Sequence, residues 1–344
     1  MHLAMLWKPL ANGVTQCRLC SHYCRIQPGA TGRCGVRVNQ DGALHTLVFD
    51  RVAALNLDPV EKKPLFHFLP GTVTFSLGTM GCNLSCSFCQ NFSLSQPPRE
   101  GRPVQGQHAT PEDIVAGAKR LGARSISYTY SEPTVFSELV LATATRAVAQ
   151  GLKNILVSNG FQSPQCLDAL GPYIHAANID LKAFTDAFYR QRCGARLAPV
   201  LATLKHIVRL GWWLEVTTLV IPGLNDSAPE LRDIARFIHD ELGPDVPWHV
   251  SRFHPTHRLT DRPPTPVATL ERAWTIGRDA GLRHVYLGNV RGHPGEHTLC
   301  PACGGVAVER VGFSVAPLRG APGVCPACGT AIAGVGWDTL EARP

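Results

Sequence analysis

The 344-residue chain has no run of about 18 or more apolar residues, which excludes a helix long enough to span a bilayer. Met1–Leu10 lacks a basic segment leading into a long apolar run, so no secretory signal is expected there. The 32 glycines and 27 prolines follow no collagen-like period and form no long low-complexity tract. Charge is sparse, at 17% of residues, and the excess of 33 Lys and Arg over 26 Asp and Glu is scattered. The tightest basic groups are pairs such as Lys62–Lys63, well short of a patch that tracks phosphates. The net charge of +7 therefore describes a mildly basic protein, with neither a membrane nor a nucleic acid expected as partner.

Cysteine is what the chain has in excess. Most of its 13 cysteines fall in three tight clusters: Cys17, Cys20, Cys24 and Cys34; Cys82, Cys86 and Cys89; Cys300, Cys303, Cys325 and Cys328. Cys166 and Cys193 stand alone. Without a secretion signal, thiols this close read as metal ligands rather than disulfides, and a reducing cytoplasmic location is expected.

The clusters fall in different segments. Residues 1–71 read as an irregular Cys-rich module. From Thr72 a regular alternation begins, with apolar β-rich runs such as Ser125–Tyr130, Asn154–Ser158, Asn178–Leu181 and Trp213–Ile221 separated by helical segments. Thr110, Pro111 and Asp113 form a helix start, with Ile114, Val115, Ala118 and Leu121 as its apolar face. Near-continuously apolar strands separated by helices argue for an α/β fold with parallel strands. About seven βα units over residues 72–290 are enough for a partial or nearly closed (βα) barrel, whose active residues lie at the carboxyl ends of strands. Residues 291–344 change character again, with two Cys pairs around a β-rich segment.

Cys82-x3-Cys86-x2-Cys89 follows the first expected strand of that core, on the loop at its carboxyl end. Three thiolates are an odd set for structural zinc, which is nearly always four-coordinate. On a [4Fe–4S] cluster they leave one iron open, and the amino and carboxylate groups of S-adenosylmethionine (SAM) form a chelate suited to it. An electron from the reduced cluster would then cleave the sulfonium and release a 5′-deoxyadenosyl radical. The plainer readings are a zinc site completed by a distant ligand, or a set of buried inert thiols.

With Phe88 before Cys89, this stretch resembles the radical SAM superfamily signature, Cys-x3-Cys-x-aromatic-Cys. The chain is most similar to the branch around pyruvate formate-lyase activating enzyme and, within it, to the AmmeMemoRadiSam system radical SAM enzymes. The resemblance runs from about Cys17 to Trp337, carried by Pro59–Phe68, Gly81–Asn91, Tyr128–Pro133 and Trp248–Pro255. It implies a glycyl-radical type of activation of a partner protein, Memo-like and AMMECR1-like partners, and an electron donor such as a flavodoxin or ferredoxin. Modification of a small molecule, peptide or RNA is the alternative reaction. A zinc-ribbon scaffold or nucleic-acid-binding protein is the alternative of another class.

The resemblance also implies SAM contacts. Glu132 stands where a family motif approaches the SAM amino group, although the glycines of that motif are missing. Asp180 and Lys182 flank Leu181 on one strand face and match an Asp-x-Lys whose lysine meets the SAM carboxylate. His254 matches a histidine of the SAM pocket and shares a face with Arg252. Asn159, at the end of a strand, offers an amide for ribose or the methionine moiety. Their plainer readings are a helix-start glutamate, an internal ion pair, a loop histidine and an Asn-Gly turn.

The near-duplicate knuckles Pro301–Gly304 and Pro326–Gly329 make the last four cysteines look like a zinc ribbon. Cys17, Cys20, Cys24 and Cys34 offer four thiolates for zinc or an auxiliary [4Fe–4S] cluster.

Overall fold

The computed structural model describes residues 1–316 and 320–340, so residues 317–319 and 341–344 of the tail lie outside the described residues. Eight strands form one sheet in sequential order: β1 (Ala54–Pro59), β2 (Val73–Gly78), β3 (Ser125–Tyr128), β4 (Lys153–Ser158), β5 (Ala176–Asp180), β6 (Trp213–Val220), β7 (Trp248–Arg252) and β8 (Val285–Gly288). Strands β2 to β8 are parallel, as expected for apolar strands joined by crossover helices. β1 pairs antiparallel with β2, and β8 ends the other edge. The result is a partial barrel.

Helices α1 (Pro111–Arg120), α2 (Ser137–Ala149), α3 (Pro164–Leu170), α4 (Leu197–Arg209), α5 (Ala228–Phe237) and α6 (Val267–Asp279) belong to the crossovers. α1 starts as its sequence dictates: the Thr110 hydroxyl accepts from the Asp113 amide, and Asp113 returns the bond in a capping box. Ile114, Val115 and Ala118 are buried, but the helix stops at Arg120, leaving Leu121 as an exposed cap. After β3 the chain makes a 3-10 turn over Pro133–Phe136, and α2 begins at Ser137.

Residues 1–71 are more ordered than their irregular pattern suggests. They contain two small three-stranded sheets, as well as β1 at the edge of the main sheet. Most of these strands have two to four residues, too few to display a period. Arg37 anchors the segment to α2: its Nη1 lies 2.9 Å from Glu138 Oε1, with both side chains almost completely buried. Gly35 and Gly81 allow the close approach. A Cβ on Gly35 (φ +74°) would meet Pro98 C at 2.3 Å, and one on Gly81 (φ +100°) would meet Val36 Cγ1 at 2.7 Å.

Pro64–Phe68 crosses the floor of the barrel. Glu215 on β6 accepts from the amides of Phe66 (3.0 Å) and His67 (2.8 Å), and Asn178 on β5 donates to Pro64 O. From the tail, the buried Arg310 donates to Phe66 O at 2.7 Å and to Thr298. The tail has its own small core, which includes Cys300, Cys325, Ile332, Trp337 and Leu340. No described helix is long and apolar enough to cross a membrane.

Candidate active site

The carboxyl ends of the parallel strands open onto one cavity of about 580 Å³. Its volume lies within the range of small-molecule sites. Cys82, Cys86 and Cys89 line it from the loop after β2. That loop is held by backbone bonds: Ser85 N and Ser87 N donate to Cys193 O and Arg192 O, each at 2.9 Å, and Gly81 N donates to Leu94 O. Arg99 adds a side-chain bond to Leu84 O at 2.7 Å.

The three thiols are not gathered around a single ion. Among the described residues, the one group of three or more His, Cys, Asp or Glu ligand atoms lying within 4.8 Å of one another is the C-terminal quartet. Burial raises the Cys82 and Cys89 thiols above their ordinary pKa. A bond from Cys193 holds Cys86 down, while burial pushes Cys193 up. Cys193 does not line the cavity and so stands behind Cys86 rather than among the facing thiols. Three thiols spread on one wall, with no fourth cysteine facing them, fit a [4Fe–4S] cluster with one open iron.

Four of the five expected SAM contacts meet this wall. Glu132, Asn159, Asp180 and Lys182 line the cavity after β3, after β4, at the end of β5 and just beyond it. Asn159 reaches the thiols, with Nδ2 donating to Asn83 Oδ1 at 2.8 Å and lying 3.6 Å from Cys82 Sγ. Glu132 is buried, which raises its pKa against the bonds it accepts from Asn159 N (2.9 Å), Thr134 and Ser158. It therefore caps the following turn and faces the cavity at once. Lys182 Nζ pairs with Asp180 Oδ2 at 2.7 Å. Burial works against that ammonium, but Asp180, Cys86 and Cys193 together raise its pKa well above the ordinary lysine value.

His254 is not brought to the site. It is exposed and does not line the cavity. His249 and Ser251 are the β7 residues that face inward, so strand parity sends Arg252 and His254 the other way. Arg252 Nε instead donates to Thr265 O. The inward histidine, His249, bonds Glu215 Oε2 at 2.6 Å. Thr217 faces the cavity, whereas Thr218 bonds Leu181 O and Trp248 Nε1.

Reading the residues alone missed a polar group at the cavity wall. Asp58 accepts from Lys62 (2.8 Å), Lys63 (2.6 Å) and Tyr130. These donors outweigh its burial and hold its carboxyl well below the usual range. Tyr130 has φ +66°, uncommon for a bulky residue, and its ring lies 4.5 Å from Lys63 Nζ. The adjacent Lys62 and Lys63 were the available signal, but the charge that gathers them comes from β1.

The tail quartet is closed. Cys300 and Cys328 sulfurs are 3.6 Å apart, and those of Cys303 and Cys325 are 3.7 Å apart.

The Radical SAM superfamily profile matches residues 77–238, the part of the chain that carries the three thiols and the strand ends facing them. An uncharacterized protein of Methanocaldococcus jannaschii is 44% identical over 314 residues, covering 91% of this chain and 93% of that protein. A probable GTP 3′,8-cyclase of Pyrococcus horikoshii is 28% identical over 166 residues, covering 46% of this chain and 49% of that protein. Streptococcus suis SuiB bound to S-adenosylmethionine shares the fold, with a TM-score of 0.50 and 16% identity over 67% of this chain and 53% of that structure. Residues 77–238 thus form a radical SAM domain, which supports an enzyme and implies a [4Fe–4S] cluster and SAM as cofactors.

Proposed function

We propose that Cys82, Cys86 and Cys89 hold the [4Fe–4S] cluster and that the neighbouring strand ends bind SAM for hydrogen abstraction from a substrate. The observation that carries this reading is the convergence of the three thiols with Glu132, Asn159, Asp180 and Lys182 on one cavity wall. When bound, the cluster and SAM supply a 5′-deoxyadenosyl radical. The chain's own residues orient and tune. Lys182 offers a positive charge to the SAM carboxylate, and Asp180 aims it. Glu132 accepts from the SAM amine, and its buried hydrogen bonds fix the carboxylate in place. Asn159 donates toward a cluster ligand and holds the Cys loop through Asn83.

As the target we propose a partner protein, activated in the manner of a glycyl-radical activase within the AmmeMemoRadiSam group. Support for this comes from the motifs at Pro59–Phe68 and Gly81–Asn91. In this reading Memo-like and AMMECR1-like proteins are the partners, a flavodoxin or ferredoxin is the electron donor, and the protein works in the cytoplasm. For the tail we propose zinc: a tetrahedral Zn–S site has sulfur–sulfur edges of about 3.8 Å, close to the separations in the quartet.

The test is anaerobic incubation of the reconstituted protein with dithionite and SAM. The wild type should form 5′-deoxyadenosine, and Cys86→Ala should form none while keeping its tail metal. Equal product from both proteins would refute the assignment.

A further inference from the structure

The N-terminal quartet has the same number of thiols as the tail quartet and a different arrangement. Cys17, Cys20, Cys24 and Cys34 all line one cavity between the N-terminal segment and the barrel. All four are free thiols. They form no group with ligand atoms within 4.8 Å of one another, as the tail quartet does. A single zinc ion would hold four sulfurs at about 3.8 Å spacing with no room between them. Here the four cysteines instead line a void of about 20 Å³.

One wall of the void carries a buried polar atom without a partner. Arg37 lines it and is 1% exposed. Its Nη1 and Nη2 are bound to Glu138 and Met5 O, but its buried Nε has no partner. A guanidinium N–H left unpaired at such a wall is costly unless an acceptor comes to it. His22 also lines the void but is committed elsewhere: its Nε2 bonds Asn83 O at 2.8 Å and its Nδ1 faces Arg33 at 3.4 Å. The ligand set is therefore the four cysteines.

From these observations we infer that Cys17, Cys20, Cys24 and Cys34 hold a second [4Fe–4S] cluster, with Arg37 Nε donating to a sulfur of that cluster. Four thiolates cap every iron, so this site offers SAM no open position and its chemistry is one-electron exchange. It is a neighbour of the first site. Asn83 lines the void, and the side chain of the same residue accepts from Asn159 beside Cys82.

The N-terminal quartet is independent of the central thiols, and metal counting separates the two sites. Full-length protein is prepared anaerobically, and iron, acid-labile sulfide and zinc are measured. Three forms are compared: wild type, Cys82→Ala/Cys86→Ala/Cys89→Ala and Cys20→Ala/Cys24→Ala. The wild type should carry about eight irons and about eight sulfides, and each variant about half of both. In the central variant, the dithionite-reduced protein should give an EPR signal that SAM does not change. A wild type with about four irons and a second zinc would overturn the inference, as would a central variant with no iron. If the central site alone fails, the wild type still carries about four irons, lost only in the Cys20→Ala/Cys24→Ala protein. Should that variant not fold, Cys24→Ser keeps an oxygen ligand and should shift the EPR signal of the SAM-insensitive cluster. An unshifted signal would overturn the inference.

Discussion

The two ends of the chain each present four cysteines, and they differ in what lies between the sulfurs. In the tail, two knuckles bring the four sulfurs within 4.8 Å of one another, and this closed site is part of a small core containing Trp337 and Leu340. At the amino terminus the four cysteines line a void whose walls include Arg37 and Asn83. Ligand count alone does not select a metal; the spacing imposed by the surrounding backbone does. A symmetric pair of short knuckles suits one ion. Cysteines spread over residues 17–34, with Cys17 on a strand and Cys34 beside a left-handed glycine, suit a larger body.

The strongest way to sharpen this contrast is to remove the closed site. Cys325→Ala should abolish zinc binding and uncouple the tail, since structural zinc contributes on the order of 10 kcal/mol to the folding of small modules. Hydrogen exchange should then show lost protection over Thr298–Val315 with iron content unchanged, whereas lost iron would mean that the two ends share a metal site. Next comes Arg37→Ala, which strands Glu138 as an unpaired buried charge. We expect a cost of about 3–5 kcal/mol in denaturant unfolding. The milder Arg37→Lys should lower the potential of the N-terminal cluster by removing its Nε donor. An unmoved potential would detach Arg37 from that site.

Smaller effects concern the central wall. Lys182→Ala should weaken SAM binding by about 10- to 100-fold, the worth of one charge-assisted bond, leaving the iron count intact. Asn159→Ala should make the central cluster harder to reduce and slow SAM cleavage by about 10-fold through the lost bond to Cys82, leaving the N-terminal signal untouched. A shift in both clusters would show that they titrate as one unit.

Much of this molecule was legible in its residues because the signals are local. The capping box of α1, the Cys-x3-Cys-x2-Cys loop and the alternation of strands and helices each depend on neighbours in sequence. Asp180 and Lys182 could be paired because a strand repeats every two residues. His254 could not be placed by periodicity alone: choosing its face required knowing that His249 and Ser251 point inward, which depends on the register of β7 in the sheet. β1 was hidden because a strand pairing antiparallel at an edge carries no crossover pattern. In the Asp58–Lys63–Tyr130 group the lysines lie within five residues of Asp58, but the bond from Tyr130 joins β1 to the loop after β3, a tertiary contact that no short stretch encodes.

The most direct measurement is EPR of the dithionite-reduced Cys20→Ala/Cys24→Ala protein with and without SAM. This variant leaves the three-thiol site as the only cluster in our assignment, so SAM bound at an open iron should change its spectrum. A reduced cluster there whose spectrum is identical with and without SAM would contradict the open coordination assigned to Cys82, Cys86 and Cys89.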